Sequence, residues 1–313
     1  MVVEVKVSKA ESLPLHSRCQ SNIVKAMAKK NPGNSSSNSG NNNDNAKSSG
    51  DGDGLKRNNP FENHKPGDTK PHRGKPLDWR EFRAFLYTHE QVENSEIPDK
   101  EASQRRLPLE WAHPISAPEN GSLLVATEKL DGVRTFERTV ILLLRSGAAN
   151  NPQEEGPFGV IINRPLNKKM KHMNPTNNEL ATTFGDCSLH FGGPLDASMF
   201  LVRIGEASGG LPGFEEVIPG LYFGSRNSLD GASTMVRSGR LKPQDFGFFM
   251  GYAGWQVDQL GEEIESGYWH VASCSANLIS GFSKHSSDGL WREILQLMGG
   301  RYSELSRKPK QDI

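Results

Sequence analysis

From Glu119 onward, short apolar segments alternate with turn residues, and this alternation restricts the possible folds more than any other feature of the chain. Each segment has the length of a β-strand, contains β-branched or aromatic residues and ends at Gly, Pro, Asn or Asp. The segments are SLLVA, TVILLLR, GVIINR, SLHFG, MFLVRI, VIPGLYFG, FGFFMGYAG and YWHVASC. The pattern predicts about eight strands.

Two helical patterns are interleaved with these strands. Each places four apolar residues on one helical face and ends at glycine. The two sets are Leu229, Ala232, Met235 and Val236 in NSLDGASTMVRSG, and Trp291, Ile294, Leu295 and Met298 in SSDGLWREILQLMGG. Because strands outnumber helices and do not alternate regularly with them, the order favours a mixed α+β sheet or partial barrel over a doubly wound parallel sheet.

The N-terminal third has a different composition. Residues 31–54 are almost wholly Asn, Ser, Gly and Asp, which cannot bury enough apolar surface to offset the entropy of ordering, so a flexible linker is predicted. The first forty residues contain six basic and two acidic side chains. They resemble an organelle transit peptide, although they lack its usual richness in Ser and Ala.

At Asp78 the pattern changes to a helix, DWREFRAFLYTHEQ, with Asp78 as its N-cap. Four apolar residues share one face and are predicted to pack on the core that follows: Trp79, Phe82, Phe85 and Leu86. The predicted organisation is a disordered extension at residues 1–75, a helical lead-in at 76–117, a domain at 118–305 and a tail at 306–313.

Charge and cysteine content exclude several classes of protein. Residues 118–302 contain 16 Lys and Arg against 20 Asp and Glu, which disfavours direct binding to nucleic acid. The chain has three cysteines, too few for a dense disulfide framework. Its longest aliphatic run, Val140 to Leu144, is far too short to span a membrane, so a soluble protein is expected.

Five motifs occur in a fixed order along the predicted domain. They are FERTV at 136–140, GPFGVIINRPL at 156–166, HFGGPL at 190–195, LYFGSRNSL at 221–229 and GYAGWQVDQLGEEI at 251–264. In sequence and spacing they resemble the AlgH/YqgE family, a set of uncharacterised bacterial proteins with members in plant plastids. The resemblance covers roughly residues 118–302.

The resemblance implies a single α+β domain whose mixed, bifurcated sheet folds as a pseudo-barrel flanked by helices. It implies no established activity, cofactor or catalytic residue, and some bacterial relatives are labelled transcriptional regulators. The chain departs from the bacterial form by its N-terminal extension and by the insertion NKKMKHMNPTN, which is interpreted as an exposed basic loop. Both features resemble the plant branch and favour a chloroplast location, with the cytoplasm as the alternative.

Three turns could together form a ligand or anion site, because backbone amides and arginine bind anions well. The residues of this hypothesis are Asn163, Arg164, Gly192, Gly193, Ser225 and Arg226. Pro165 keeps Arg164 out of helical conformation at a strand end. The alternative interpretations are that Arg164 fixes its own turn through an acidic residue and that the glycines occupy turn and bulge positions.

The motif GYAGWQVDQLGEEI predicts a buried strand, a turn and a short helix with Val257, Leu260 and Ile264 on its inner face. The acidic residues of this helix are predicted to point outward. The hypothesis is an interaction surface at Trp255, Asp258, Glu262 and Glu263. The alternative is an ordinary solvated helix face.

The sequence suggests no metal or catalytic centre. Cys187, His190, His270 and Cys274 could hold zinc only if their two strands were neighbours, and their spacing matches no usual zinc motif, so no metal and no cofactor are predicted. The chain also lacks a Gly-x-Ser-x-Gly nucleophile motif. These features favour a non-enzymatic regulatory or adaptor domain that binds a protein partner. A ligand-binding protein or enzyme with a site around Arg164, Ser225 and Arg226 is the alternative, and the oligomeric state stays open.

Overall fold

The predicted strands form one branched sheet in a computed structural model of the chain. The structure describes residues 78–93, 107–147, 156–173, 178–203, 213–279 and 287–310. All of these residues belong to one compact unit. The disordered extension, the linker and the targeting segment predicted within residues 1–75 lie outside the described residues.

The described part of the sheet has eleven strands. They are β1 (Ala112–Pro114), β2 (Leu123–Ala126), β3 (Val140–Arg145), β4 (Phe158–Ile161), β5 (Pro165–Lys169), β6 (Ser188–Phe191), β7 (Leu195–Arg203), β8 (Glu215–Ile218), β9 (Leu221–Ser225), β10 (Phe246–Gly254) and β11 (Trp269–Cys274). Each of the eight apolar segments contains a strand, and VIPGLYFG spans the end of β8 and most of β9. The short strands β1 and β5 were not predicted.

Seven α-helices surround the sheet within the described ranges. They are α1 (Trp79–Glu93), α2 (Asn178–Phe184), α3 (Leu229–Arg237), α4 (Gln259–Glu265), α5 (Ala276–Ile279), α6 (Ser287–Met298) and α7 (Gly300–Leu305). Short 3-10 turns occupy Glu128–Leu130, Met170–Met173, Arg226–Ser228 and Pro243–Asp245. The helices predicted around residues 229–236 and 291–298 are confirmed as α3 and α6. None of the described helices is long and apolar enough to cross a lipid bilayer.

The sheet branches at β10, which pairs with antiparallel β7 along one edge. Along its other edge, Phe248–Met250 pair with parallel β6, and Ala253 and Gly254 pair with antiparallel β4. A bulge at Gly251, where φ is 78°, separates these two partners. The described path runs β1-β11-β2-β3-β4-β10-β7-β9-β8 and does not close. The predicted mixed, bifurcated α+β sheet is therefore confirmed, in a form consistent with a pseudo-barrel.

The central strands are apolar at every position because both faces of the sheet are covered. In β2, Leu123 and Val125 join the cluster that contains Trp291 of α6, whereas Leu124 joins the cluster on the other face with Trp269. Strand side chains alternate between faces, so burial of both faces produces an uninterrupted run such as VILLL in β3. A third cluster, around Phe184, lies under α2 and α3.

Two predictions about surface segments, the basic insertion and helix α1, were wrong. The basic insertion is not only a loop, because its first residues lie in the exposed edge strand β5, which pairs with β6. Helix α1 does pack on the core, but through the opposite side from the predicted one. Its side chains Arg80 and Ala84 are buried, while Trp79 is 63% exposed.

Candidate functional site

Asn163 and Arg164 follow β4 and bind the backbone of the turn that precedes β3. The Oδ1 atom of Asn163 accepts a hydrogen bond from the Val140 amide at 2.9 Å, and its Nδ2 atom donates to the Arg138 carbonyl at 2.9 Å. The Arg164 guanidinium donates to the carbonyl of Glu137. Both side chains therefore connect neighbouring strands, and Arg164 fixes a turn through a backbone carbonyl rather than through a carboxylate.

A buried ion pair lies beside this turn. The distance from Arg138 Nε to Asp131 Oδ1 is 3.5 Å, with side-chain exposures of 6% and 1%. The Arg138 guanidinium also lies 4.4 Å from the centre of the Trp291 ring, a cation–π contact. Arg138 has a φ of 51°, a left-handed conformation that is uncommon outside glycine, and the Asn163 bond to its carbonyl helps to hold it there.

The C-terminal tail packs against the same turn. The Nη2 atom of Arg138 donates to the Lys308 carbonyl at 3.2 Å, and Lys308 Nζ lies 3.0 Å from the Glu128 carboxylate. Lys310 Nζ lies 2.8 Å from Glu137. The tail thus joins the fold around the buried ion pair.

Gly192 and Gly193 are explained by close backbone packing. A Cβ atom on Gly192 would lie 2.2 Å from the Gly251 carbonyl oxygen, and one on Gly251 would lie 2.0 Å from that of Gly193. The Gly192 amide donates to the Met250 carbonyl at 2.7 Å. This amide is engaged at the branch point of the sheet, as expected for a glycine at a turn or bulge.

Replacing Gly193 with alanine is expected to lower the free energy of unfolding by more than about 2 kcal/mol, because its new Cβ would overlap the Tyr252 backbone and its φ is 151°. Gly261→Ala is the control, since that helical position has open space and gains helix propensity. Urea unfolding monitored by circular dichroism measures both. Equal stability of the two variants would contradict the packing explanation.

Ser225 and Arg226 are not brought together with Arg164. Both residues are exposed at the end of β9. The strand register places Pro165 beside His190, His190 beside Phe249, Phe249 beside Met199, and Met199 beside Ser225. Three strands, β6, β10 and β7, therefore separate the two parts of the predicted anion site, at about 4.8 Å per strand interval.

Glu263 and Trp255 are buried, so the predicted outward orientation of Glu263 was wrong and neither residue can belong to the hypothesised interaction surface. Each of these two residues is only 5% exposed. The Oε2 atom of Glu263 accepts hydrogen bonds from the indole nitrogens of Trp255, at 2.9 Å, and Trp269, at 2.8 Å. Its Oε1 atom accepts from the Gln259 amide at 2.8 Å. Glu263 therefore anchors α4 to β11 and to the residue that follows β10.

Asp258 and Glu262 are exposed, as predicted for the outer side of α4. Val257 beside them is 54% exposed. The predicted interaction surface on this helix is consequently reduced to a small acidic patch without its aromatic residue.

The two Cys–His segments lie apart. Cys187 precedes β6 and His190 lies within it, and the partners of β6 are β5 and β10. His270 and Cys274 belong to β11, whose partners are β1 and β2. Burial raises the pKa of Cys187 to about 11 and that of Cys274 to about 12. Within the described ranges, no group of three or more His, Cys, Asp or Glu side chains could hold a metal ion.

Helix α1 docks on the core through polar side chains. Arg80 donates from Nη2 to the Gly121 carbonyl at 3.1 Å and from Nε to Ser273 Oγ at 3.3 Å. Arg83 pairs with Glu119. Both arginines of the helix therefore point inward and are bound there.

The outer side of α1 is aromatic. Four apolar residues form a stripe that we call the α1 aromatic face: Trp79, Phe82, Phe85 and Leu86, which are 63%, 37%, 36% and 45% exposed. The rings of Trp79 and Phe82 stack with centroids 5.4 Å apart. Contiguous exposed apolar residues of this kind are typical of a contact surface.

His113 lies under α1, between the rings of Tyr87 and Trp111, whose centroids are 5.7 Å and 5.8 Å away. Burial lowers the pKa of His113, and Arg83 and Arg80 lower it further. Burial also lowers the pKa of His270 in β11. Both imidazoles are therefore held neutral in the folded chain at neutral pH.

The free energy of unfolding is expected to fall as the pH drops below about 6.5, because the unfolded chain then binds protons that the folded chain excludes. Each histidine contributes a slope of at most about 1.4 kcal/mol per pH unit. Urea unfolding at pH 7.5 and pH 5.5 measures the loss, and the variant His113→Gln should show a smaller one. An unchanged pH dependence in that variant would exclude His113 as a source.

Two of these arrangements were not predicted from the sequence. Helical spacing places Glu263 three residues after Leu260, on the apolar side of α4, and this signal could have identified it as buried. Nothing in the local sequence marks the ion pair of Asp131 and Arg138, although Arg138 lies within the FERTV motif.

The sequence profile described as AlgH-like (DUF179) matches residues 123–303, more than half of the chain. The chain belongs to the AlgH-like family. The matched region of this AlgH-like chain begins at β2 and ends within α7, so it contains strands β2 to β11 and the buried ion pair, whereas α1 and β1 lie before it.

Bacterial relatives and solved structures are similar to the AlgH-like chain. The "UPF0301 protein" of Chlorobium luteolum is 32% identical over 192 residues, covering 61% of this chain and 91% of the relative. The "UPF0301 protein" of Chlamydia muridarum is 30% identical over 201 residues, covering 63% of this chain and 95% of the relative. A crystal structure of a Corynebacterium diphtheriae protein has a TM-score of 0.48 at 20% identity, and the match covers 62% of this chain and 94% of that structure. The solution structure of Pseudomonas aeruginosa AlgH has a TM-score of 0.42 at 20% identity, and the match covers 63% of this chain and 98% of that structure.

Proposed function

We propose that this AlgH-like protein is a non-enzymatic regulatory or adaptor protein that binds a protein partner through the α1 aromatic face. The observation that carries the proposal is the exposure of this stripe on a helix whose polar side is fixed to the core. Trp79 is 63% exposed and stacked on Phe82, so an aromatic anchor is presented in a defined position.

The chemistry of the other candidate residues supports a non-enzymatic role. The raised pKa values of Cys187 and Cys274 keep both thiols protonated at neutral pH, which suits packing better than nucleophilic attack. Both polar atoms of the Asn163 amide bind backbone groups of the fold. The label of transcriptional regulator given to some bacterial relatives agrees with a regulatory role but names no partner.

A plastid location is the second part of the proposal. The N-terminal extension and the insertion NKKMKHMNPTN, which resemble the plant branch, support it, as does the basic character of the first forty residues. A fluorescent protein fused to the C terminus of the full chain should accumulate in chloroplasts of plant cells. Uniform cytoplasmic fluorescence would contradict this part alone.

The interaction surface is tested by substituting Trp79→Ala and Phe85→Ala together in the full chain. Quantitative capture from chloroplast extract should show at least one partner whose retention falls about thirtyfold or more, the loss expected when an aromatic anchor worth about 2 kcal/mol is removed. Because both side chains are exposed, the melting temperature should shift little.

The matched control is Asp258→Ala with Glu262→Ala, which alters the exposed side of α4 and leaves α1 intact. This control should retain the same partner. If the α1 variant captured every protein that the unmodified chain captures, the proposed surface would be wrong. Loss of the partner in the α4 variant alone would transfer the surface to the acidic patch.

A further inference from the structure

We infer that the partner of the α1 aromatic face is a basic amphipathic segment of another protein. Its apolar side chains pack on the stripe, and its Lys or Arg side chains lie at both borders of the stripe. The inference rests on the proposed function, because it names the partner class of the same surface. Helix α1 then selects its partner by charge as well as by apolar contact.

The first argument is the way in which docking divides the charges of α1. Arg80 is 8% exposed and donates its hydrogen bonds to the core, and Arg83 pairs with Glu119. Both guanidinium groups are therefore engaged on the inner side of the helix. Among the α1 side chains that the structure describes, the exposed charged ones are acidic: Glu81 and Glu90. The outer surface of α1 is thus apolar and negatively charged, although the helix contains arginine.

The second argument is the position of these carboxylates relative to the stripe. At roughly 100° per residue, Glu81 lies about 40° outside the Phe85 edge of the α1 aromatic face, and Glu90 lies about 20° outside the Trp79 edge. The two acidic residues are about 14 Å apart along the helix axis. A binding segment therefore meets apolar side chains in the middle of the surface and one negative charge at each border.

The third argument is that one class of occupant fits both parts of this surface. A helix with apolar residues on one side and Lys or Arg at the edges of that side would pack on the stripe and place positive charges beside both carboxylates. Trp79 stacks on Phe82, and its exposed ring offers a cation–π contact to one of those basic side chains. The ring of His89 lies 4.2 Å from that of Phe85, so ring contacts continue toward the C-terminal end of the helix.

The same charges disfavour polyanions as partners. A nucleic acid or an anionic lipid surface would bring phosphates close to Glu81 and Glu90, while the arginines that could bind phosphate are engaged with the core. Helix α1 also lies before residues 123–303, which match the AlgH-like profile. The charge selection therefore belongs to an element outside the region that matches the family.

The test measures the binding of two synthetic helical peptides to the full chain by fluorescence anisotropy. One peptide has Leu on one face and Lys along the edges of that face, and the other has Glu in place of every Lys. We expect the Leu/Lys peptide to bind at least about tenfold more tightly, because only its charges complement the borders of the stripe. Trp79→Ala with Phe85→Ala should weaken its binding about thirtyfold.

A pair of charge variants locates the attraction. Glu81→Gln with Glu90→Gln should weaken the Leu/Lys peptide about fivefold and reduce the dependence of its Kd on salt, because two exposed ion pairs are lost. The matched control is Asp258→Asn with Glu262→Gln, which removes the same net charge from the exposed side of α4. Since charges far from the stripe are screened, the control should leave the Kd within about twofold of its original value.

Equal affinities for the two peptides, or no binding of the Leu/Lys peptide, would overturn the inference. Equal weakening by the two charge variants would also overturn it, because the attraction would then follow the net charge of the chain. Binding of the full chain to phosphatidylglycerol vesicles that Trp79→Ala with Phe85→Ala abolishes would overturn it in favour of a lipid surface. The proposed function is judged separately by the capture experiment. Loss of the captured partner there, together with equal peptide affinities here, would refute only the basic partner class.

Discussion

Replacing Glu263 with alanine is expected to lower the free energy of unfolding by about 3 kcal/mol, as two buried donors lose their acceptor. The indole N–H groups of Trp255 and Trp269 both donate to one oxygen of this carboxylate, and neither residue is more than 5% exposed. In the variant, each indole N–H would remain in an apolar environment without the carboxylate. Chemical unfolding with intrinsic fluorescence measures the loss.

Two control variants separate the hydrogen bonds from other effects. Glu263→Gln keeps an acceptor oxygen for the indoles and should be less destabilised than Glu263→Ala. Glu262→Ala removes a neighbouring carboxylate on the exposed side of α4 and should change stability by less than about 0.5 kcal/mol. A Glu263→Ala variant as stable as Glu262→Ala would show that the buried carboxylate does not anchor α4.

Arg138→Ala is expected to cost about 4 kcal/mol of stability, because it leaves the Asp131 carboxylate buried without the arginine that faces it. The substitution also removes the contact with the Trp291 ring and the hydrogen bond to the Lys308 carbonyl. Thermal and urea unfolding should therefore show the largest loss among the single substitutions considered, with the tail becoming more sensitive to protease.

The matched control is Arg134→Ala, which removes an exposed arginine from the same turn and should be nearly neutral. A double-mutant cycle with Asp131→Leu and Arg138→Leu measures the coupling directly. The double variant should be much less destabilised than the sum of the single variants, since both charges of the pair are then removed together. Additive effects would mean that the two side chains do not stabilise each other.

Local patterns predicted most of the elements of this fold. The runs LLVA and VILLL became β2 and β3 because a strand buried on both faces needs apolar residues at every position. The spacing of Trp291, Ile294 and Leu295 became the buried side of α6. Strands β1 and β5 escaped prediction because AHP and PLNKK have no apolar alternation, and their pairing partners alone make them strands.

Helix α1 shows where such reasoning fails. Its apolar stripe predicts the buried side, yet Arg80 and Ala84 face the core and Trp79 faces outward. The reason is that Ser273 and the Gly121 carbonyl offer hydrogen-bond acceptors at the docking site, and these acceptors bind the Arg80 guanidinium. No pattern within α1 contains information about those distant acceptors.

The sequence by itself determined the family, the strand segments and the main helices, because these depend on residue order over short distances. Only the tertiary structure decided that Glu263 is enclosed by two indoles, that Arg138 faces Asp131, and that three strands separate Ser225 from β5. Each of these facts depends on which strands become neighbours. That choice is made by the packing of the whole sheet, and it determines which polar and aromatic side chains are buried and which stay exposed.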